Sequence, residues 1–209
     1  MLARQQLESF SVHTSHYNDL DESTLKQLYK LRKHVFIDRL KWNIVSYNGG
    51  NSEKDEYDNS DSYYIYTMSD GILSGCVRLR SSSKATLFTG ALSYVRPSYL
   101  EPSISAVTWE ASRFCLKKYS ASNSSPHRNR FGIDLRTISI FKSMVEFGIN
   151  NEISQYEAAI VPAMSRVLRQ SGWEHRMLNK DVAAFGEPIL YVLLPCTEAI
   201  HSKLSYEMY

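Results

Sequence analysis

Three short runs carry groups able to do chemistry. The first is Arg32-x-x-x-Phe36-x-x-x-x-x-Trp42, a cation and two aromatics at a helix and its exit. Read as structure alone, this is the end of an amphipathic helix, its arginine laying its stem along the edge of the apolar stripe. The second is Glu53-Lys54-Asp55-Glu56-Tyr57-Asp58, whose ordinary use is a solvated acidic loop. The third is Trp109-Glu110-Ala111-Ser112-Arg113-Phe114, where opposite charges sit inside an otherwise apolar strand. Buried charge is costly unless paired, so this run is the hardest to explain as packing. Glu110 and Arg113 also have opposite parity on a regular strand. Both reach one site only if the strand bulges or ends between them.

The elements that must position these runs follow from pattern. Asp21 and Ser23 cap a helix predicted to run to about Leu40, with Leu25, Leu28, Tyr29, Val35 and Phe36 as its apolar stripe. Ser46 to Ser62 reads as a polar loop. Tyr63 to Met68 and Ile72 to Leu79 read as strands joined at Asp70-Gly71, a strong hairpin signal. Ala106 to Leu116 is a further strand, and Tyr119 to Gly132 a mobile Ser/Asn-rich loop. Asp134 caps a helix carrying Ile138, Phe141 and Val145, and the strand Tyr156 to Val161 follows. Pro162 opens a helix that Ser171-Gly172 closes, and Ile189 to Leu194 is the last buried strand. The order predicts an α/β single domain over 1–209, a mixed central β-sheet flanked by helices.

Composition narrows the function. The chain has 209 residues, 43% hydrophobic and 22% charged, with a formal net charge of +2, too small to argue for nucleic acid. Cys76, Cys115 and Cys196 lie far apart, which suits a reducing cytoplasm rather than a disulfide framework. The six histidines show no ligand spacing, so no metal is expected. Met1 to Phe10 has no secretory pattern, and Ile189 to Leu194 is too short to span a membrane.

Together the runs resemble the acyl-homoserine-lactone (autoinducer) synthases. Leu31-Arg32 through Trp42 resembles their opening motif, and Glu53 to Asp58 their acidic loop. Gly75-Cys76-Val77-Arg78-Leu79 is similar to their central-strand arginine, and Trp109 to Phe114 to their Glu-x-Ser-Arg-Phe signature. The resemblance implies an N-acetyltransferase-like fold, S-adenosylmethionine and an acyl carrier protein as substrates, and no cofactor. It assigns functional positions to Arg32, Phe36, Trp42, Asp55, Asp58, Arg78, Glu110 and Arg113. One departure is a phenylalanine common in the family after the central arginine, where Leu87 to Val95 offers Leu92.

On that resemblance, a guanidinium from Arg32, Arg78 or Arg113 holds the substrate carboxylate through a two-pronged pair. Asp55 and Asp58 supply negative charge near an amine or sulfonium, Phe36 and Trp42 face the adenine or the cation, and a mobile acidic loop closes over the ligand. Glu110, directly or through water, is the base that frees the α-amine. The family's marker for a 3-keto acyl chain falls at Ala158, which cannot donate a hydrogen bond, so an unsubstituted chain is expected. Lys142, Arg166 and Arg169 form a candidate basic surface for an acidic carrier, or simply a solvated charged face. An N-acyltransferase using acyl-coenzyme A would share the fold, but no two of the nine glycines make the Gly-x-Gly of its pyrophosphate loop. A non-catalytic small-molecule sensor would have no use for a glutamate inside the Trp109 to Phe114 strand.

Overall fold

The computed structural model describes residues 10–100, 107–118, 128–184 and 186–208. One mixed sheet has the order β1-β2-β3-β4-β5-β7-β6. Its strands are β1 (Phe10–His16), β2 (Ser62–Ser69), β3 (Ile72–Ser81), β4 (Thr108–Leu116), β5 (Gln155–Ile160), β6 (Arg176–Val182) and β7 (Pro188–Pro195). The helices are α1 (Glu22–Arg32), α2 (Leu135–Asn150), α3 (Pro162–Gln170) and α4 (Glu198–Tyr206). The β2–β3 hairpin turns through Asp70 (φ 51°) and Gly71 (φ 74°), both left-handed as a tight turn matched to strand twist requires. Asp21 and Asp134 cap α1 and α2 by accepting from the Thr24 and Arg136 N–H groups, each at 2.9 Å.

Every strand pair is antiparallel except β4–β5, which is parallel and short: it pairs only Thr108–Glu110 with Gln155–Glu157. Beyond that rung β4 runs on to Leu116 and β5 to Ile160, so the two strands part and the sheet opens. Helices α2, α3 and α4 cover one face over a core that includes Ile65, Val77, Leu79, Ile138, Tyr156 and Trp173. The other face carries α1, packed with Leu28 and Leu31 against Tyr64, Tyr66 and Cys76.

The helix expected to reach Leu40 is α-helical only to Arg32 and then widens into π-helical turns, Lys33–Arg39. The wider turns lead into a tight exit in which Lys41 is left-handed (φ 58°) and the Trp42 N–H bonds the Phe36 carbonyl at 2.9 Å. Strands β1 and β6 and helix α4 were not expected from the sequence. Of the loop expected from Tyr119 to Gly132, residues 119–127 lie outside the described residues, as does Ala106 at the start of the expected strand.

Candidate active site

The parity conflict in β4 is resolved by a bulge. Arg78 pairs with Ser112 and Cys76 with Cys115, so two steps on β3 face three on β4. The extra residue is Arg113, held at φ 58°. Trp109, Ala111 and Phe114 therefore pack with the α2 side, while Glu110 and Arg113 serve the opposite face. Pairing with two carboxylates supports a left-handed conformation that a non-glycine residue adopts only at a cost.

Three arginines and three carboxylates close into a ring of alternating charge. Arg32 donates to Glu53 (2.6 Å) and Asp58 (2.7 Å), and Arg78 donates to Asp58 (3.0 Å) and to Asp55 through both terminal nitrogens. Arg113 donates to Asp55 (2.8 Å) and Glu53 (3.2 Å), completing the circuit. The Tyr64 hydroxyl adds a bond of 2.6 Å to Asp58. Burial opposes ionisation of Asp58, but Arg32 and Arg78 together hold its carboxyl well below the usual carboxylate range. The acidic loop is thus built into the molecule, not hinged above it. Glu53 is fully buried, and the loop is tightened by the Asp55 N–H on Asp58 (2.8 Å) and the Tyr57 N–H on Asp55 (3.0 Å).

Glu110 is the carboxylate the ring leaves over. It is completely buried; Oε2 accepts the Leu87 N–H at 2.7 Å, and Oε1 makes no hydrogen bond among the described residues. The nearest cation, Arg78, stands 4.0 Å from Oε1. Burial pushes the Glu110 carboxyl above its ordinary range, against the opposing pull of Arg78, the Ser112 hydroxyl and the Leu87 N–H.

A cavity of about 350 Å³ threads the gap between β4 and β5. On the α1 side its wall holds Phe36, Trp42, Asp55, Tyr57 and Arg113. Phe36 and Trp42 stack there, centroids 5.4 Å apart and planes within 11°. Ala111 and Ala158 flank the passage, and on the α2 side the wall is apolar, with Phe141, Met144, Leu168 and Trp173. The site therefore joins a charged, aromatic compartment to a greasy one through the sheet.

Residues 16–204 match the family described as autoinducer synthase. The chain belongs to that family. An acyl-homoserine-lactone synthase of Rhizobium radiobacter is 32% identical over 165 residues, covering 77% of this chain and 73% of that one. Among solved structures, the CoA-dependent acyl-homoserine lactone synthase BjaI, with SAM and isopentyl-CoA, superposes with a TM-score of 0.78 at 17% identity, covering 96% of this chain and 90% of that one. An acyl-CoA N-acyltransferase from Pseudomonas aeruginosa shares the fold more distantly, with a TM-score of 0.53 at 14% identity over 88% and 99% of the two chains. The protein is thus an acyltransferase, an acyl-homoserine-lactone synthase with an N-acetyltransferase-like fold, and it makes an autoinducer.

Within this autoinducer synthase the residues named from sequence divide into two groups. Phe36, Trp42, Asp55, Arg113 and Ala158 line the cavity. Arg32, Asp58, Arg78 and Glu110 lie behind its wall, their side chains at most 1% exposed. Arg113, with 12% of its side chain exposed, is the arginine of the ring that reaches the cavity. The segment after β3 is not a strand but two 3-10 turns, Leu87–Thr89 and Ser93–Val95, and it presents Phe88 beside Leu92. Lys142 does not join Arg166 and Arg169. It pairs with Glu146 (3.4 Å) near Val12 and Met208, whereas α3, with both arginines exposed, packs on β7.

Sequence reasoning did not assign Glu53, Tyr57 or Glu157 to the site. A charge count could have found Glu53, because three arginines need a third carboxylate. Tyr57 lies against Arg78 and Arg80, 5.6 and 5.7 Å from its ring centre, and nothing in its motif beyond its position marks it. Glu157 is fully buried in β5 in register with Glu110, and no local pattern signals it.

Proposed function

We propose that the synthase acylates the α-amine of S-adenosylmethionine with an acyl group carried as a thioester on acyl carrier protein, then lactonises the product. The two-compartment cavity carries this reading: one substrate is charged and aromatic, the other a greasy chain. The sulfonium and adenine lie at the Phe36–Trp42 stack and Asp55, and the carboxylate pairs with Arg113. Arg32, Arg78 and Asp58 position that wall rather than touch substrate. The acyl chain passes Ala111 and Ala158 toward Trp173.

The free amine has a pKa of roughly 8 and must lose a proton before it attacks. Ala111 and Ser112, not Glu110, form the wall, so the proton reaches Glu110 through a relay: the Ser112 hydroxyl or a water molecule. The amine nitrogen adds to the thioester carbonyl, and the tetrahedral intermediate collapses with loss of the carrier thiolate. The second N–H proton, shed as the amide forms, neutralises that thiolate, and the proton held by Glu110 returns to solvent. The carboxylate oxygen then attacks the carbon next to the sulfonium, and methylthioadenosine leaves as a neutral thioether. Neither step calls for a metal or an added cofactor, and the chemistry suits the cytoplasm.

A fold shared with the CoA-dependent BjaI leaves coenzyme A as the second donor reading. The exposed Arg166 and Arg169, with exposed Arg176 at the start of β6, favour an acidic carrier, as does the lack of a Gly-x-Gly turn. With Ala158 and Ala159 in the cavity wall, the preferred chain is unsubstituted at its third carbon. Matched acyl-carrier and acyl-coenzyme A thioesters, plain and 3-keto, offered in competition with S-adenosylmethionine, test both points. A higher kcat/KM for the plain carrier thioester supports the reading, and a preference for the coenzyme A donor overturns the carrier part of it.

A further inference from the structure

A second buried charge cluster lies next to the base and takes no part in the chemistry above. Glu157 sits on β5 in register with Glu110, at the last rung before the sheet opens. Arg96 grips it with Nε at 2.9 Å and with Nη2, Tyr191 donates at 2.6 Å, and Ser82 donates at 2.5 Å. Both of its main partners press on one ring. Arg96 stands 5.5 Å over Phe88, and Tyr191 meets it edge-on with centroids 5.1 Å apart. The peptide before Phe88 begins at Leu87, whose N–H holds Glu110 Oε2 at 2.7 Å. Three contacts thus connect the Glu157 carboxylate to the Glu110 carboxylate by way of the 3-10 turn.

We propose that Arg96 is a positioning residue for Glu110: anchored on Glu157, it fixes Phe88 and so keeps the Leu87 N–H on the base. This deepens the reaction proposed above and rests on it. A buried polar cluster of this kind costs desolvation, and fixing a single geometry for a catalytic group gives it a use. Among the described residues, the charged and titratable groups facing Glu110 are Arg78 and Arg80 from β3, Tyr57 from the acidic loop and Glu157 from β5. Loss of Arg96 loosens the Leu87 hydrogen bond and leaves Glu157 without its cation. Each effect disfavours the Glu110 carboxylate, so both act in one direction.

The test compares Arg96→Met and Arg96→Lys with the wild type by steady-state kinetics, thermal melting and NMR titration of the Glu110 carboxyl. Arg96→Met is expected to lower kcat about tenfold, within the hundredfold that misplacing a catalytic group can cost. Both KM values should stay within about twofold, and the Glu110 titration and the acid limb of kcat/KM should move to higher pH. Arg96→Lys should restore most of the acid limb. Wild-type kcat and an unmoved Glu110 titration in Arg96→Met, with only a lower melting temperature, overturn the proposal. If Arg96→Met does not fold, Tyr191→Phe removes one bond to Glu157 and should move the same readouts the same way; its failure to do so is equally fatal. The NMR titration needs no turnover, so a wild type that forms no lactone counts against the reaction and not against the positioning role.

Discussion

Glu110, the proposed base, is buried and stands outside the charge ring. Arg32 and Arg78 are taken up by Glu53, Asp55 and Asp58, and Arg113 bonds Glu53 and Asp55 while still reaching the cavity, so Glu110 is left with a single backbone donor and a cation at 4.0 Å. Glu110→Gln keeps the shape and removes the proposed base. It should cost two to four powers of ten in turnover, on the order of a lost general base, with an unchanged circular dichroism spectrum. Because burial raises this group above its ordinary range, the acid limb of kcat/KM should lie above the roughly pH 4 of a free glutamate. Asp58 has the opposite sign. Its pKa is depressed by Arg32 and Arg78, so its stabilisation is complete above the unfolded value of about 4 and is lost as pH falls through that value toward the folded one. Asp58→Asn should flatten the acid end of a stability–pH curve measured by urea unfolding. Ala158→Thr would place a hydroxyl at the passage, and in competition assays it should shift preference toward 3-keto chains; an unchanged ratio would put the selectivity elsewhere.

At the scale of elements, the β4 bulge and the π-helical turns after α1 bring the ring together. The first turns Arg113 onto the face of Glu53, and the second ends α1 at Arg32 and stacks Trp42 on Phe36. Arg32 spans α1 and the acidic loop with no exposed surface, so it cannot be a snorkelling side chain. Arg32→Ala leaves Glu53 and Asp58 short of a cation, and breaking a buried pair costs about 3–5 kcal/mol, not the about 1 kcal/mol of an average substitution. A chemical-denaturation loss of that size, with catalysis falling in proportion to the folded fraction, is the expected outcome. The hairpin, β4, α2, β5, α3 and β7 were legible because buried faces impose apolar periodicity. Edge strands β1 and β6 were not. Each pairs with one neighbour, and β6, Arg-Met-Leu-Asn-Lys-Asp-Val, has no fully buried residue. Helix α4 offered a fainter signal: Thr197 as its cap, and Ile200 and Leu204 one turn apart. The need for a bulge could be read from the parity of Glu110 and Arg113, whereas the closed ring could not, since it joins α1, a loop, β3 and β4.

The whole molecule separates its tasks by face. The charged compartment opens on the α1 side, the apolar one lies under α2 and α3, and the parted strands join them. Arg166 and Arg169 stand on the solvent side of α3, beside the apolar compartment that Leu168 helps to line, where a carrier could deliver its chain. Reversing both charges should raise KM for a carrier-borne donor several-fold and leave KM for the same chain on coenzyme A unchanged. Added salt should weaken the wild type's use of the carrier in the same direction. Lys142, across the helical layer beside β1, should be neutral in that assay. The most direct test of the reaction is product stoichiometry. Purified protein supplied with S-adenosylmethionine and an acyl-carrier thioester should release acyl-homoserine lactone and methylthioadenosine in equal amounts by mass spectrometry, with both falling together in Glu110→Gln; acylation without methylthioadenosine, or neither product, would contradict it.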